Sequence, residues 1–329
     1  MSGNVKECSV LFGDELQHTV PIIKTKNPHV VLRGKDGNGM SVAIPIDDNI
    51  LSKHIMLLGG IGTGKTNAFF HIINQVEKKL SENDVMIIFD TKGDFYNEFY
   101  KKGDIVISND STATGEDSLD YWNIFNEIEY GEHMVESVIE ISKSLFAEQC
   151  NKTNQIFFPN AAKDIFMACL LHFIRAFPPN VRTNKNLIYY INKTPVKEIK
   201  NMLNSYDDLR AMVSYIDNED SAQTQGVMSV LQQVVREIFV GNFSKTGTLS
   251  LKNLVRKKGG KKIFIEYDLS IGNMLTPIYS LMFDMAIKEA LGRKRSEGNA
   301  YFITDEFRLL PNLEHIDAVS YTHLTLPTT

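Results

Sequence analysis

The chain has 329 residues, 43% of them hydrophobic, and a formal net charge of −5. This length and apolar content predict a folded protein of one or two domains with a large core. The negative charge argues against a protein that binds polyanions through its overall charge, so any contact with nucleic acid must come from local basic patches. Cys8, Cys150 and Cys169 show neither paired metal spacing nor a disulfide framework, as is typical of a reducing cytosol.

The first residues, MSGNVKECSVLFGDEL, lack the basic and then apolar pattern of a signal peptide. No apolar run is long enough to cross a bilayer, and the best candidate, FMACLLHFI at 166–174, is short. We interpret this run as a buried helix.

Residues 1–50 are predicted to form a β-rich segment, in which HVVLRG and SVAIPI flank a Gly-Asn-Gly turn. From residue 51 onward, apolar strands alternate with helical patterns, which predicts an α/β fold with a mostly parallel sheet. The predicted strands are HIMLL (54–58), DVMIIFD (84–90), DIVIS (104–108), KIFIEY (262–267) and AYFIT (300–304). The predicted helices cover 65–80, 133–147, 160–177 and 275–292.

The pattern changes between residues 184 and 240, where Asn, Asp and Gln are frequent and the apolar spacing is helical. We interpret 184–240 as an all-helical insertion. It divides an α/β core into a first part, 51–183, and a second part, 241–319.

The stretch HIMLLGGIGTGKTNAFFHIINQV contains the phosphate-loop pattern G-x-x-x-x-G-K-T between an apolar strand and an amphipathic helix. Glycines let the backbone N–H groups turn toward a phosphate chain, and the helix adds its positive end. Lys65 is expected to reach the β- and γ-phosphates of ATP, and the Thr66 hydroxyl to hold Mg²⁺. The expected nucleotide-binding residues are Gly59, Gly60, Ile61, Gly62, Thr63, Gly64, Lys65 and Thr66.

The strand YFIT ends in Asp305 and Glu306. An Asp-Glu pair after a strand is often only a solvated turn. In a phosphate-loop ATPase, however, an Asp at this place holds Mg²⁺ and an adjacent Glu polarises the attacking water. We therefore predict Asp305 as a magnesium ligand and Glu306, with Lys65, as a catalytic residue.

Three further residues have open interpretations. Asp90 and Lys92 end the strand MIIFD on the predicted nucleotide side, where they either touch the phosphates or only close the turn. Trp122 either stacks on a base or fills the core, and the core is the interpretation we favour.

Lysines and arginines cluster in VRKKGGKK (255–262) and GRKRSEG (292–298). Both clusters precede predicted parallel strands, so they are expected at the sheet edge opposite the nucleotide. There they either contact DNA phosphates or are ordinary solvated cations near helix ends. The candidate DNA contacts are Lys257, Lys258, Lys261 and Lys262.

Several stretches together resemble the conjugative coupling proteins of type IV secretion, which are grouped with the FtsK- and HerA-type DNA-pumping ATPases. These are HIMLLGGIGTGKT, IIFDTKGDFYNEFY, YWNIFNEI, FPNAAKDIFMACLLHF, KTGTLSLKNLV with KIFIEY, and YFITDEFRLLPNLE. The resemblance covers about 40–318. It implies a RecA-like core with an all-helical insertion, ATP and Mg²⁺ as cofactors, and a homohexamer that passes single- or double-stranded DNA to a secretion channel. Relaxase and channel components are the implied partners.

Two departures from the family affect these expectations. Family members usually begin with transmembrane helices, so we expect either a soluble variant at the inner face of the cell membrane or an anchor that is lost or carried by a partner. The family also continues beyond the acidic strand, with an arginine that serves a neighbouring subunit's nucleotide. Here 320–329 resembles translated adapter sequence, so a non-native tail is expected rather than a short natural end.

Three functions remain open at this stage. The first is a DNA-translocating ATPase of conjugation. The second is a related motor for chromosome segregation, end processing or virus packaging. The third is a nucleotide-binding module with little hydrolysis, since a missing arginine in trans lowers turnover by about 10³–10⁵-fold.

Overall fold

A computed structural model describes residues 24–60, 62–109, 120–267, 272–292 and 297–316. The chain divides into two compact units, Met1–Lys79 and Leu80–Thr329. The division falls after the predicted phosphate loop and its helix rather than near residue 50.

In the first unit, strands β1 (Val30–Lys35) and β2 (Ser41–Ile46) form an antiparallel hairpin. Asp36 fixes the turn because its Oδ1 accepts hydrogen bonds from the backbone N–H groups of Asn38 and Met40, both at 2.9 Å. A short helix, α1 (Asp48–Leu51), follows. These elements confirm the two strands predicted around the Gly-Asn-Gly turn.

Helix α2 (Lys65–Glu77) packs against β1 in the same unit. The side-chain amide of Gln75 joins them: its Oε1 accepts from the Val31 N–H at 2.9 Å and its Nε2 donates to the Val31 carbonyl at 3.2 Å. The helix predicted from residue 65 is confirmed.

The strand predicted at 54–58 is wrong. These residues form no strand, and Met56 and Leu58 are 75% and 86% exposed. An apolar strand requires neighbours that pair with its backbone and cover its faces. Within the described part of the first unit, the only sheet is the β1–β2 hairpin, so the segment has no strand to pair with there.

The second unit contains a four-stranded parallel sheet in the order β4-β5-β3-β6. Its strands are β3 (Val85–Asp90), β4 (Ile105–Ser108), β5 (Lys261–Glu266) and β6 (Ala300–Thr304). All six residues of β3 are buried, as is typical of a central parallel strand covered on both faces. Asp90 pairs with Glu266 and Phe89 with Thr304. The carboxyl ends of the strands therefore lie at one edge, as the alternating pattern predicted.

Eight helices are described in this unit: α3 (Asp94–Phe99), α4 (Met134–Lys152), α5 (Phe157–Ala176), α6 (Asn184–Lys193), α7 (Val196–Asn204), α8 (Ala222–Ile238), α9 (Leu251–Lys257) and α10 (Thr276–Leu291). The range 184–240 contains α6, α7 and α8 and no strand. Helix α8 packs on α5, so the helical segment shares a core with the rest of the unit.

Helix α5 is the one helix in the described residues that is long and apolar enough to cross a membrane. In this fold 61% of its apolar window is buried, and residues such as Ala162, Ile165 and Phe166 are fully inaccessible. The prediction of a buried helix at FMACLLHFI is confirmed.

Candidate functional site: a glycine loop and an acidic sheet edge

The glycine-rich loop of the first unit turns directly into α2. Gly62 and Gly64 have φ of 77° and 88°, a region that residues with a side chain rarely adopt. Gly64 is the residue that precedes the helix, and Lys65 and Thr66 lie in its first turn. Gly59, Gly60, Thr63 and these residues are described, whereas Ile61 lies outside the described residues.

Lys65 holds its ammonium group over this loop. Its Nζ donates to the carbonyl oxygens of Gly59 at 2.6 Å and Gly60 at 2.8 Å. The Thr63 hydroxyl also donates to the Gly60 carbonyl, at 2.9 Å. These bonds close the loop into a compact turn with a positive charge beside the N-terminal end of a helix, an arrangement that suits an anion.

The second unit carries the acidic pair at the carboxyl edge of its sheet. Asp305 follows β6, and its backbone N–H continues the ladder by donating to the Phe89 carbonyl at 3.3 Å. Burial raises the pKa of Asp305. Glu306, Asp90 and Asp94 raise it further through their negative charges, whereas the ammonium of Lys92 lowers it. We call Asp305, Glu306 and the adjacent β3 end, Asp90 to Asp94, the Asp305 site.

Within the Asp305 site, Asp90 closes a turn. Its Oδ1 accepts from the backbone N–H groups of Lys92 and Gly93, and its Oδ2 from those of Phe95 and Tyr96, at 2.8 to 3.2 Å. Asp90 is 1% exposed, and its carboxylate is hydrogen-bonded to the backbone at and just before the start of α3. Of the two interpretations of Asp90, the structure favours the turn, whereas Lys92 is exposed beside Asp305.

An ion pair and a buried hydroxyl complete the Asp305 site. Glu306 forms an ion pair with Arg308, with Oε2 3.3 Å from Nε, and 37% of the Glu306 side chain is exposed. The Thr91 hydroxyl is buried and has no hydrogen-bond partner among the described residues. No sequence pattern marks Thr91, because an unpaired hydroxyl is defined by its neighbours in the fold.

The lysines proposed as DNA contacts lie at the opposite edge, where β5 begins beside β3. Lys257 and Lys261 are exposed, while Lys258 is partly buried and donates to the Glu297 carbonyl. Lys262 is 3% exposed and pairs with Asp104 at 3.3 Å. A buried, paired ammonium cannot reach a DNA phosphate, so the prediction for Lys262 is wrong. In the second basic cluster, 293–296 lie outside the described residues.

A family model described as the type IV secretion-system coupling protein DNA-binding domain matches residues 40–322. The chain belongs to this family. A comparison with curated proteins gave no match.

Solved structures of coupling proteins have the same fold as this coupling-protein domain. Bacterial conjugative coupling protein TrwBdeltaN70, in a trigonal form with sulphate, is 16% identical with a TM-score of 0.66, covering 85% of this chain and 63% of that one. Plasmid coupling protein TrwB with the non-hydrolysable ATP analogue ADPNP is 16% identical with a TM-score of 0.66, covering 84% and 62%. TrwB with ADP and Mg²⁺ is 15% identical with a TM-score of 0.61, covering 85% and 70%. The chain thus spans less than two thirds of the first two solved chains, and the likeness confirms an α/β, RecA-like fold.

Two of the stretches that carried the resemblance to coupling proteins lie side by side. Residues 121–123 and Leu249 exchange backbone hydrogen bonds: Leu249 N–H donates to the Tyr121 carbonyl at 3.0 Å, and Asn123 N–H donates to the Leu249 carbonyl at 2.9 Å. The Asn126 amide adds a bond to the Thr248 carbonyl at 2.7 Å. YWNIFNEI and TLSLKNLV are therefore one structural unit of the coupling-protein domain.

Glu127 lies at the centre of this pairing and is fully buried. Its carboxylate accepts hydrogen bonds from the Trp122 indole at 2.8 Å, the Ser250 hydroxyl at 3.0 Å, and the N–H groups of Leu251 and Lys252 at 2.7 and 3.2 Å. We call Glu127 and these four donors the Glu127 site. Trp122 is 1% exposed, which confirms it as a core residue. The sequence contains no signal that assigns Glu127 to a helix more than a hundred residues away.

Proposed function

We propose that this coupling-protein domain is an ATP-driven motor that passes DNA toward a type IV secretion channel. The observation that carries the proposal is the glycine loop, which turns into α2 with Lys65 held over it by two carbonyl bonds. Such a loop is suited to a phosphate chain and is uncommon as a simple surface turn. The family description, which names DNA binding, and the TrwB complexes with ADPNP and with ADP and Mg²⁺ support the same function.

Each site residue has a proposed role in this motor. The loop N–H groups would bind the phosphates and Lys65 would pair with the β- and γ-phosphates. Thr66 and Asp305 are the proposed ligands of Mg²⁺, which would supply charge neutralisation on the phosphate oxygens. Glu306 orients and polarises the attacking water.

The residues present at the sheet edge fit a hydrated cation. Asp305 lies among three other carboxylates, whose repulsion a divalent ion would relieve. The buried hydroxyl of Thr91, at the same edge, lacks a partner among the described residues and would hydrogen-bond a water molecule of the ion.

The remaining expectations follow from the family. We propose that the complete protein acts as a homohexamer, receives single- or double-stranded DNA with a relaxase, and works at the inner face of the cell membrane beside channel components. We also propose a membrane-anchored partner among these components.

The test replaces the loop lysine by alanine, Lys65→Ala, in the full chain. Binding of a fluorescent ATP analogue in the presence of Mg²⁺, and ATP hydrolysis with and without DNA, are measured against Lys53→Ala, which changes an exposed lysine outside the loop. We expect the Lys65 variant to lose both activities and the Lys53 variant to keep them. Unchanged turnover in Lys65→Ala would contradict the assignment.

A further inference from the structure

A second group of ionisable side chains lies where α4, α10 and the segment after β6 meet. The carboxylate of Asp284, on α10, is 3% exposed. It accepts two hydrogen bonds from His315: one from the backbone N–H at 2.9 Å and one at Nδ1, 2.8 Å away. Glu140, on α4, faces the other ring nitrogen, with Oε1 3.5 Å from Nε2. Lys288, one turn beyond Asp284, pairs with the second oxygen of Glu140.

The group resembles a metal site in composition, because ligand atoms of Glu140, Asp284 and His315 lie within 4.8 Å of one another. Two contacts favour a shared proton over a metal ion. The 2.8 Å between His315 and Asp284 is a normal hydrogen bond and shorter than the roughly 3.3 Å between two ligands of tetrahedral zinc. The ammonium of Lys288 already neutralises Glu140 and would repel a divalent ion.

The same contacts favour protonated His315. The hydrogen bond to Asp284 raises the pKa of His315, against an opposing effect of burial. The charges of Asp284 and Glu140 raise it further and that of Lys288 lowers it. When Nε2 loses its proton, its lone pair faces Oε1 of Glu140, a buried atom without a hydrogen-bond partner among the described residues. The contact with α4 therefore depends on the proton, whereas Nδ1–H can still donate to Asp284.

His315 terminates the segment that leads away from the acidic pair. Between Glu306 and His315 the backbone forms only one short 3₁₀ turn, Phe307–Leu309. The segment is anchored by two buried side chains, Leu310 at 3% and Leu313 at 8% exposure. Because it lacks a longer regular element, its position depends on these anchors and on His315.

We propose that His315 is a positioning residue for the acidic pair: as an imidazolium it ties the segment after Glu306 to both α4 and α10, and loss of its proton releases α4. The inference rests on the ATPase function proposed above. It gives the motor a sensitivity to pH at a place remote from the nucleotide loop in sequence.

The sign of the effect follows from the direction of the pKa shift. In the folded chain the pKa of His315 lies above the unfolded value of about 6.5. The tie therefore contributes fully below about pH 6.5 and is lost as the pH rises through the folded-state value. Hydrolysis at saturating ATP and Mg²⁺ is expected to fall over this window.

The experiment compares the full chain with His315→Asn, whose amide keeps a donor near Asp284 but has nothing in place of Nε2. We measure kcat between pH 6 and 9, and the titration of His315 by NMR on histidine-labelled protein. We expect His315→Asn to lower kcat at least threefold at pH 6.5 and to remove the inflection from the plot of kcat against pH. At high pH its kcat should equal that of the wild type. His133→Asn, an exposed histidine at the start of α4, should keep the wild-type profile.

The inference is overturned by a His315 pKa at or below 6.5, or by an unchanged inflection in the pH profile of kcat for His315→Asn. Tight zinc binding that His315→Asn abolishes would also overturn it, in favour of a metal site. If the wild type shows no hydrolysis at any pH, the proposed function fails by itself. The tie is then tested by backbone hydrogen exchange of 307–316. As the pH rises, exchange in the wild type should accelerate by more than the intrinsic pH effect, whereas exchange in His315→Asn should follow the intrinsic effect alone. Glu140→Ala, which removes the carboxylate on the α4 side of the same contact, serves if the asparagine variant does not fold.

Discussion

Glu127 and Asp305 are carboxylates of the Leu80–Thr329 unit, the first fully buried and the second partly buried, and burial raises the pKa of each. Their neighbours differ. Four donors surround Glu127 and lower its pKa again through hydrogen bonds. Asp305 lies instead among carboxylates that raise its pKa further, and Lys92 is the cation that opposes them.

The difference separates a structural acid from a candidate functional one. All the hydrogen-bonding capacity of Glu127 is taken by protein donors, so the carboxylate has nothing left to offer a ligand. The Asp305 site retains negative charge that a cation would neutralise, which is the kind of arrangement found at functional sites. The same difference separates two neighbouring residues. Asp90 lies beside Asp305 in the sheet, yet its carboxylate is structural because four backbone N–H groups donate to it.

The largest effect is expected from Glu306→Gln in the Asp305 site. Hydrolysis should fall by about 10²–10⁴-fold, the usual contribution of a positioned side chain that acts on the attacking water. Binding of ATP and the free energy of unfolding should change little, because Glu306 is partly exposed and, within the described part of the chain, its ion pair is with the exposed Arg308. Steady-state turnover and urea unfolding measure the two quantities.

Glu314→Gln, an exposed acid on the same segment, is the matched control and should keep both properties. If Glu306→Gln unfolds the chain while Glu314→Gln does not, the acidic pair is structural and the contrast with Glu127 disappears.

The second effect is expected from Glu127→Gln. The glutamine amide presents a donor where the carboxylate accepted, so at least one backbone N–H of Leu251 or Lys252 loses its partner. We expect the free energy of unfolding to fall by about 2–4 kcal/mol, because a buried donor loses its hydrogen bond to a charged acceptor. Turnover per folded molecule at low temperature should be unchanged.

Glu129→Gln provides a matched control two residues along the chain. Glu129 pairs with Lys252 and Arg256 but its side chain is 45% exposed, so its loss should cost less than about 1 kcal/mol. If the two substitutions lower the free energy of unfolding equally, the burial of Glu127 does not make it more important for stability than the exposed Glu129.

Local patterns predicted most of the fold. Strands β3 to β6 are continuous apolar runs that end in polar residues, and each lies within or beside its predicted range. The segment at 54–58 has the same local pattern, but a strand also needs a neighbour to pair with, and none is available in the described part of its unit. A short apolar run cannot reveal whether that neighbour exists.

The same distinction between local and distant contacts applies to the sites. The glycine loop and the acidic pair were predicted because their chemistry depends on residues adjacent in the chain. Glu127, Asp284 and Lys262 were missed or misassigned because their partners, Leu251, His315 and Asp104, lie 31 to 158 residues away. Sequence spacing carries no information about such contacts, so only the fold separates a paired, buried charge from a free one.

The smallest expected effect extends the comparison to cations at the other edge of the sheet. Lys257 and Lys261 are exposed, as phosphate contacts must be, whereas Lys262 is buried against Asp104. If the two exposed lysines each contact a phosphate, Lys257→Gln with Lys261→Gln should lower the slope of log K against log salt for duplex DNA by about 1.8, at roughly 0.9 per contact.

Lys262→Gln should leave the slope unchanged and instead reduce the free energy of unfolding, because Asp104 is left without its buried partner. Fluorescence anisotropy across a salt series gives the slope and urea unfolding gives the stability. If the slope is reduced in Lys262→Gln but not in the double variant, burial does not separate structural from DNA-contacting lysines in the way that it separates Glu127 from Asp305.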